Sequence, residues 1–108
     1  MAEQVTIEGL SFTCVPLEEA NFKDIAAIYV IICINKGNTP KIIDIGQTGE
    51  AGDRFDNHKR KECWKKYCQM GKLWACLYPM PSVKFTKKER IDLERKLRTK
   101  FNPPCGKI

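Results

Sequence analysis

The stretch from Ala26 to Ile34 constrains this chain more than any other. It is apolar on both alternating faces, with Ile28, Val30, Ile32 and Ile34 on one and Tyr29, Ile31 and Cys33 on the other. A half-buried strand alternates apolar with polar residues, whereas a strand covered on both sides reads as a continuous apolar run. The run therefore predicts a central strand with packed layers on both faces of its sheet. It is far short of the ~20 residues a membrane span needs. Met1 to Glu8 lacks the basic-then-apolar order of a signal peptide. The expectation is a soluble, cytoplasmic protein with no membrane partner. At 108 residues, 43% hydrophobic and 30% charged, the chain reads as one folded domain over residues 1–108 and not as a disordered one.

Around that strand the other elements fall into place. Asn35 to Pro40 is a turn by composition, and Lys41 to Gly46 returns as a second strand. A glycine-punctuated loop, Gly46 to Gly52, leads into a helix expected from Asp53 to about Met70, broken once and stopped by Gly71. Leu73 to Tyr78 is a third strand, closed by Pro79 and Pro81. Thr86-Lys87-Lys88-Glu89 is a capping box, opening a helix that runs to about Phe101 and ends before Pro103-Pro104. Val5 to Ile7 and Phe12 to Val15 are short β-prone pieces, read as an added edge strand or hairpin. The expected fold is α+β: a small three-stranded, mostly antiparallel sheet flanked by helices, in the order β-β-α-β-α, with a short N-terminal β extension.

Charge is distributed unevenly. Residues 1–50 carry three lysines against seven acids, a net of −4, and residues 51–108 carry sixteen basic residues against six acids, a net of +10. Such asymmetry predicts an electropositive face and a polyanionic partner. Lys59, Arg60, Lys61, Lys65 and Lys66 are its densest run and the candidate nucleic-acid contacts. Trp64 and Tyr67, on the same run, are expected in the core.

Six cysteines (Cys14, Cys33, Cys63, Cys68, Cys76 and Cys105) have no secretory signal beside them. Reduced, buried thiols are the expectation. His58, Cys63, Cys68 and Cys76 lack the paired close spacing of a zinc site.

Several residues fall together into a pattern. Ala27-Ile28-Tyr29, then Asp44-Ile45-Gly46-Gln47-Thr48-Gly49, then Arg54 and His58, then Glu94 resembles the GIY-YIG nuclease family over about residues 26–106. The closing Lys100-Phe101-Asn102-Pro103-Pro104 belongs to the resemblance, which places the two tripeptides on the strands of one hairpin. It implies hydrolysis of a DNA phosphodiester with one divalent cation, Mg2+ or Mn2+. Tyr29 matches the proposed general base, Arg54 the arginine that holds the scissile phosphate, and His58 a histidine one turn later. Glu94 matches the carboxylate that binds the metal. Gly46 matches the second tripeptide, while Asp44 stands where the family has tyrosine and Gly106 where it has asparagine. Asp44 and Gly46 are therefore further candidate site residues. The alternative reading is a catalytically inactive nucleic-acid-binding domain of the same fold.

The chemistry is consistent with these residue types. Phosphodiester cleavage needs an activated water and a cation against the developing charge. Magnesium keeps most of its waters, so one glutamate is an adequate protein ligand. At about 100° per residue, Leu93, Leu97 and Phe101 form the apolar stripe of the last helix, and Glu94 falls beside it. The competing reading of Glu94 is an ion pair with Arg90 and Arg98, each four residues away. As a base, Tyr29 needs its phenol acidified by the metal or by a neighbouring cation.

Overall fold

The computed structural model describes residues 2–35, 37, 39–49 and 60–106. Strands β1 (Glu3–Ile7) and β2 (Leu10–Pro16) form one hairpin, and β3 (Ala27–Ile34) and β4 (Lys41–Thr48) form a second. Helix α1 (Lys61–Lys66), strand β5 (Lys72–Pro79) and helix α2 (Lys87–Phe101) follow. The strands make a single antiparallel sheet in the order β1-β2-β5-β3-β4.

The α+β class holds, but the expected three-stranded sheet is wrong: five strands are present among the described residues. The N-terminal pieces are no appendage, because β2 pairs with β5 from Thr13↔Leu77 to Pro16↔Trp74. The cause lies in β5. Its Ala75 and Leu77 are buried in one core and its Cys76 in the other. A strand buried on both faces is poorly suited to an open edge, and β2 covers that edge. The β1–β2 turn is Glu8-Gly9, with φ of 50° and 79°, the positive-φ pair that matches the twist of a two-residue hairpin.

As expected, β3 is central, paired on either side by β4 and β5, with Ala27 to Cys33 buried throughout. Ile28, Val30 and Ile32 pack with Phe12, Ile45 and Leu97, and Leu93 and Phe101 of α2 join them. Tyr29, Ile31 and Cys33 pack on the opposite face with Trp64, Leu77 and Cys105. The two helices thus serve opposite faces. The capping box of α2 is complete: Glu89 N–H donates to Thr86 Oγ1 at 3.1 Å and Thr86 N–H donates to Glu89 Oε1 at 2.9 Å. Asn102, in the left-handed conformation at φ 45°, ends the helix before Pro103.

The helix expected from Asp53 to Met70 is described only from Lys61 to Lys66; residues 50–59 lie outside the described residues. Gly71 is not its stop. That glycine lies against β3, where an added Cβ would sit 2.8 Å from Cys33 Sγ and 2.8 Å from the Ile34 carbonyl oxygen.

The expectation of reduced thiols is overturned as well. Cys14 bonds Cys76, Cys33 bonds Cys68 and Cys63 bonds Cys105. The first joins two residues already opposite each other on β2 and β5. The other two tie α1 and the turn after it to β3 and to the segment beyond α2. All three cysteines of the rejected zinc set are consumed in this way. No helix among the described residues is long and apolar enough to cross a membrane.

Candidate active site

Tyr29 is fully buried on β3, directly opposite Gly46 on β4. An added Cβ at Gly46 would meet Cζ, Oη and Cε2 of the phenol. Glycine is required there because the ring of its cross-strand partner occupies the space a side chain would fill. The two tripeptides that carry the resemblance lie on paired strands and meet at Tyr29 and Gly46.

Asp44 lies two residues earlier on β4, beside a register shift opposite Ile31 and Ile32. Its side chain is 0% exposed, and a buried carboxylate needs partners. It has four. Oδ1 accepts from the Ile45 amide at 2.7 Å and from Arg98 Nη2 at 2.6 Å. Oδ2 accepts from Trp64 Nε1 at 2.7 Å and pairs with Arg60 Nε at 3.1 Å. Four donors and no acceptor are the surroundings of an ionised carboxylate. Burial pushes the Asp44 carboxyl above its usual value, opposed by the Trp64 indole, the Arg60 and Arg98 guanidiniums and the Ile45 amide.

Both arginines extend this arrangement. Arg60, at the start of α1, also donates from Nη2 to Tyr29 Oη at 2.5 Å. A candidate nucleic-acid contact by sequence, it turns inward to these partners, with 28% of its side chain exposed. Arg98, on α2, donates from Nε to Glu94 Oε2 at 3.3 Å and from Nη1 to the Cys105 carbonyl at 3.2 Å. The result is an unbroken polar chain from Tyr29 through Arg60, Asp44 and Arg98 to Glu94. Glu94 meets Arg98 as the competing reading expected, but not Arg90. That side chain is buried and donates to Gln47 Oε1 at 3.4 Å and to the Met80 carbonyl at 3.3 Å.

The segment after α2 closes the site. The Cys105 amide donates to the Ile43 carbonyl at 3.0 Å, and Cys105 is bonded to Cys63 of α1. Gly106 follows at φ 77°, where an added Cβ would meet Arg60 Nη1 and Arg98 Nη2 and approach Arg60 Cζ to 2.8 Å.

A metal is implied by the resemblance, and Glu94 fits one. Its side chain is 27% exposed, and Oε1 has no partner among the described residues, which suits a magnesium that retains most of its water. Asp44 does not fit, since every donor it holds would have to be displaced. No group of three metal-ligating side chains occurs among the described residues, so a cation here rests on Glu94 and water.

Arg54, His58 and Lys59 lie outside the described residues. Lys65 and Lys66 are exposed on α1 and Lys61 is half-buried. Lys61 and Lys65 join Lys72, Gln69 and Glu18 around a cleft of about 480 Å³. Trp64 is in the core as expected, but Tyr67 is not: it is 41% exposed, with Lys66 Nζ 5.5 Å from its ring centroid. The inward turn of Arg60 and the contacts of Trp64 and Arg98 with Asp44 were missed from sequence. The available signal was Asp44 itself, an acid amid Ile42, Ile43 and Ile45 that had to find donors. Comparison of the chain with family models, with curated proteins and with solved structures gives no match.

Proposed function

We propose that this protein is a metal-dependent DNA endonuclease that hydrolyses phosphodiester bonds, as its resemblance to the GIY-YIG family implies. The observation that carries the reading is the linkage of Tyr29 to Glu94 through Arg60, Asp44 and Arg98. A phenol and a carboxylate far apart in the chain are joined there through three charged side chains.

Glu94 is the protein ligand for Mg2+ or Mn2+, which when bound supplies positive charge against the negative charge that develops on the phosphate. Tyr29 Oη orients the attacking water and takes its proton. Arg60 Nη2, which donates to that oxygen at 2.5 Å, is the neighbouring cation that the sequence could not place. By resemblance alone, Arg54 holds the scissile phosphate and His58 is the histidine one turn after it. Exposed Lys65 and Lys66, with Lys61, hold the backbone of the duplex without reading bases. The cytoplasmic placement expected from sequence belongs to this proposal. Thiol reductants there work against disulfides, so assays are run on the oxidised protein.

One observation favours the second reading, a binding domain without activity. Arg98 occupies one oxygen of Glu94 and competes with a cation for it. The two readings separate in Tyr29→Phe and Glu94→Ala. Under the nuclease reading each variant loses cleavage about 100-fold or more while DNA affinity changes less than about threefold. Under the binding-domain reading the unaltered protein binds DNA with the same steep salt dependence and nicks nothing in Mg2+ or Mn2+.

A further inference from the structure

Asp44 and Gly106 are the two positions at which this chain departs from the pattern it resembles, and they meet in space. We propose that Asp44 is the positioning residue of the site and that Gly106 is what allows it to act. The inference deepens the nuclease reading and rests on it.

Asp44 touches neither a reacting atom nor an open oxygen of Glu94; it acts through two guanidiniums. A guanidinium is planar and rigid, so fixing one of its nitrogens fixes the direction of the others. Arg60 is gripped at Nε by Asp44 Oδ2, which aims Nη2 at Tyr29 Oη. Arg98 is gripped at Nη2 by Asp44 Oδ1, which aims Nε at Glu94 Oε2. One carboxylate thereby sets the partner of the base and the orientation of the metal ligand, from strand β4, against side chains brought in by both helices. A tyrosine at position 44 offers one neutral oxygen and cannot receive four donors.

Room for the two arginines comes from position 106. Any side chain there would occupy the places of Arg60 Nη1 and Arg98 Nη2. With an asparagine at 106 these two guanidiniums would have to leave the places they hold here. The two departures are accordingly one change: the aspartate draws the arginines in and the glycine clears their space.

The test compares Asp44→Asn, Gly106→Ala and Gly9→Ala. Gly9 is the control because its φ is 79°, close to the 77° of Gly106, yet an added Cβ there meets nothing within 4 Å. The three proteins share the alanine or isosteric logic but differ in whether the arginines are disturbed. Two readouts are taken: the Trp64 indole N–H resonance by NMR, assigned with Trp64→Phe, and the nicking rate with its Mg2+ half-saturation. Asp44→Asn and Gly106→Ala are expected to move the indole resonance and to lower the rate at saturating DNA about 100-fold. The apparent DNA affinity and the Mg2+ half-saturation stay within about threefold, and Gly9→Ala matches the unaltered protein in all of these. Combining Asp44→Asn with Arg60→Gln is expected to cost little more than either alone, since both act through one contact.

Full activity and an unmoved indole signal in Gly106→Ala would overturn the proposal. A tenfold rise in Mg2+ half-saturation for Asp44→Asn with an unchanged maximal rate overturns it too, by making Asp44 a metal ligand. If Asp44→Asn does not fold, Gly106→Ala decides the matter, because it alters no charge. A wild-type protein inert on every DNA substrate removes the nuclease reading and the catalytic part of this proposal with it. The indole comparison still determines whether Asp44 and Gly106 hold the arginines.

Discussion

Helices α1 and α2 cover opposite faces of the sheet by different means. α2 has fifteen residues, a complete capping box and an apolar stripe through Leu93, Leu97 and Phe101. Its sequence supports a helix before any neighbour is considered. α1 has six residues and no side-chain cap, well below the length at which a helix is stable by itself. It is held by what it touches: buried Trp64, the Asp44 carboxylate and two disulfides, Cys63–Cys105 and, in the turn that follows, Cys33–Cys68. An element that packs by periodicity is robust and locally encoded. One that is fastened by long-range bonds places functional side chains firmly but depends on every fastening. Arg60, which meets Tyr29, stands at the start of the fastened helix.

The largest effect expected from this contrast is on the disulfide between α1 and the C-terminal segment. Cys63→Ser with Cys105→Ser opens a link with a sequence separation of 42 residues, and the chain-entropy model gives a loss of about 4 kcal/mol. Hydrogen exchange of the double variant should show α1 amides deprotected while α2 amides keep their protection. Equal loss in both helices would contradict the distinction. Thr86→Ala is the matching test on α2. It removes one arm of the capping box and should cost about 1 kcal/mol, measured by denaturant unfolding, with α1 protection unaffected.

Smaller still is the acid-range dependence set by Asp44. Its folded value is raised, chiefly by burial, so the native state holds a proton over a window in which the unfolded chain has released it. The contribution of Asp44 to stability therefore falls as pH rises from the ordinary aspartate value through the raised one, and is level above it. The difference in unfolding free energy between the unaltered protein and Asp44→Asn should fall as pH rises across that window and be flat above it. A difference that rises with pH across that window would contradict this assignment.

How far the sequence could be read follows the same line. The double-faced apolar run marked β3 as central, and Thr86 with Glu89 marked the start of α2, because both signals are local. The pairing of β2 with β5 was hidden, since β-prone residues disclose a strand but not its neighbour. The cysteines likewise carry no spacing signal: their partners lie 62, 35 and 42 residues apart. Asp44 announced a buried charge, yet one of its partners, Arg98, is 54 residues away. Arg60 sits in a run of basic residues, and composition alone gave no reason to turn it inward.

Glu94 and Tyr29, joined through Asp44, form the phosphodiesterase site proposed above. The most direct measurement is conversion of supercoiled plasmid to open circle by the oxidised protein in Mg2+ and in Mn2+, beside Glu94→Ala purified identically. The expected result is metal-dependent nicking by the unaltered protein and at least about a 100-fold loss in the variant. Equal nicking by both proteins, or none by either, would contradict it.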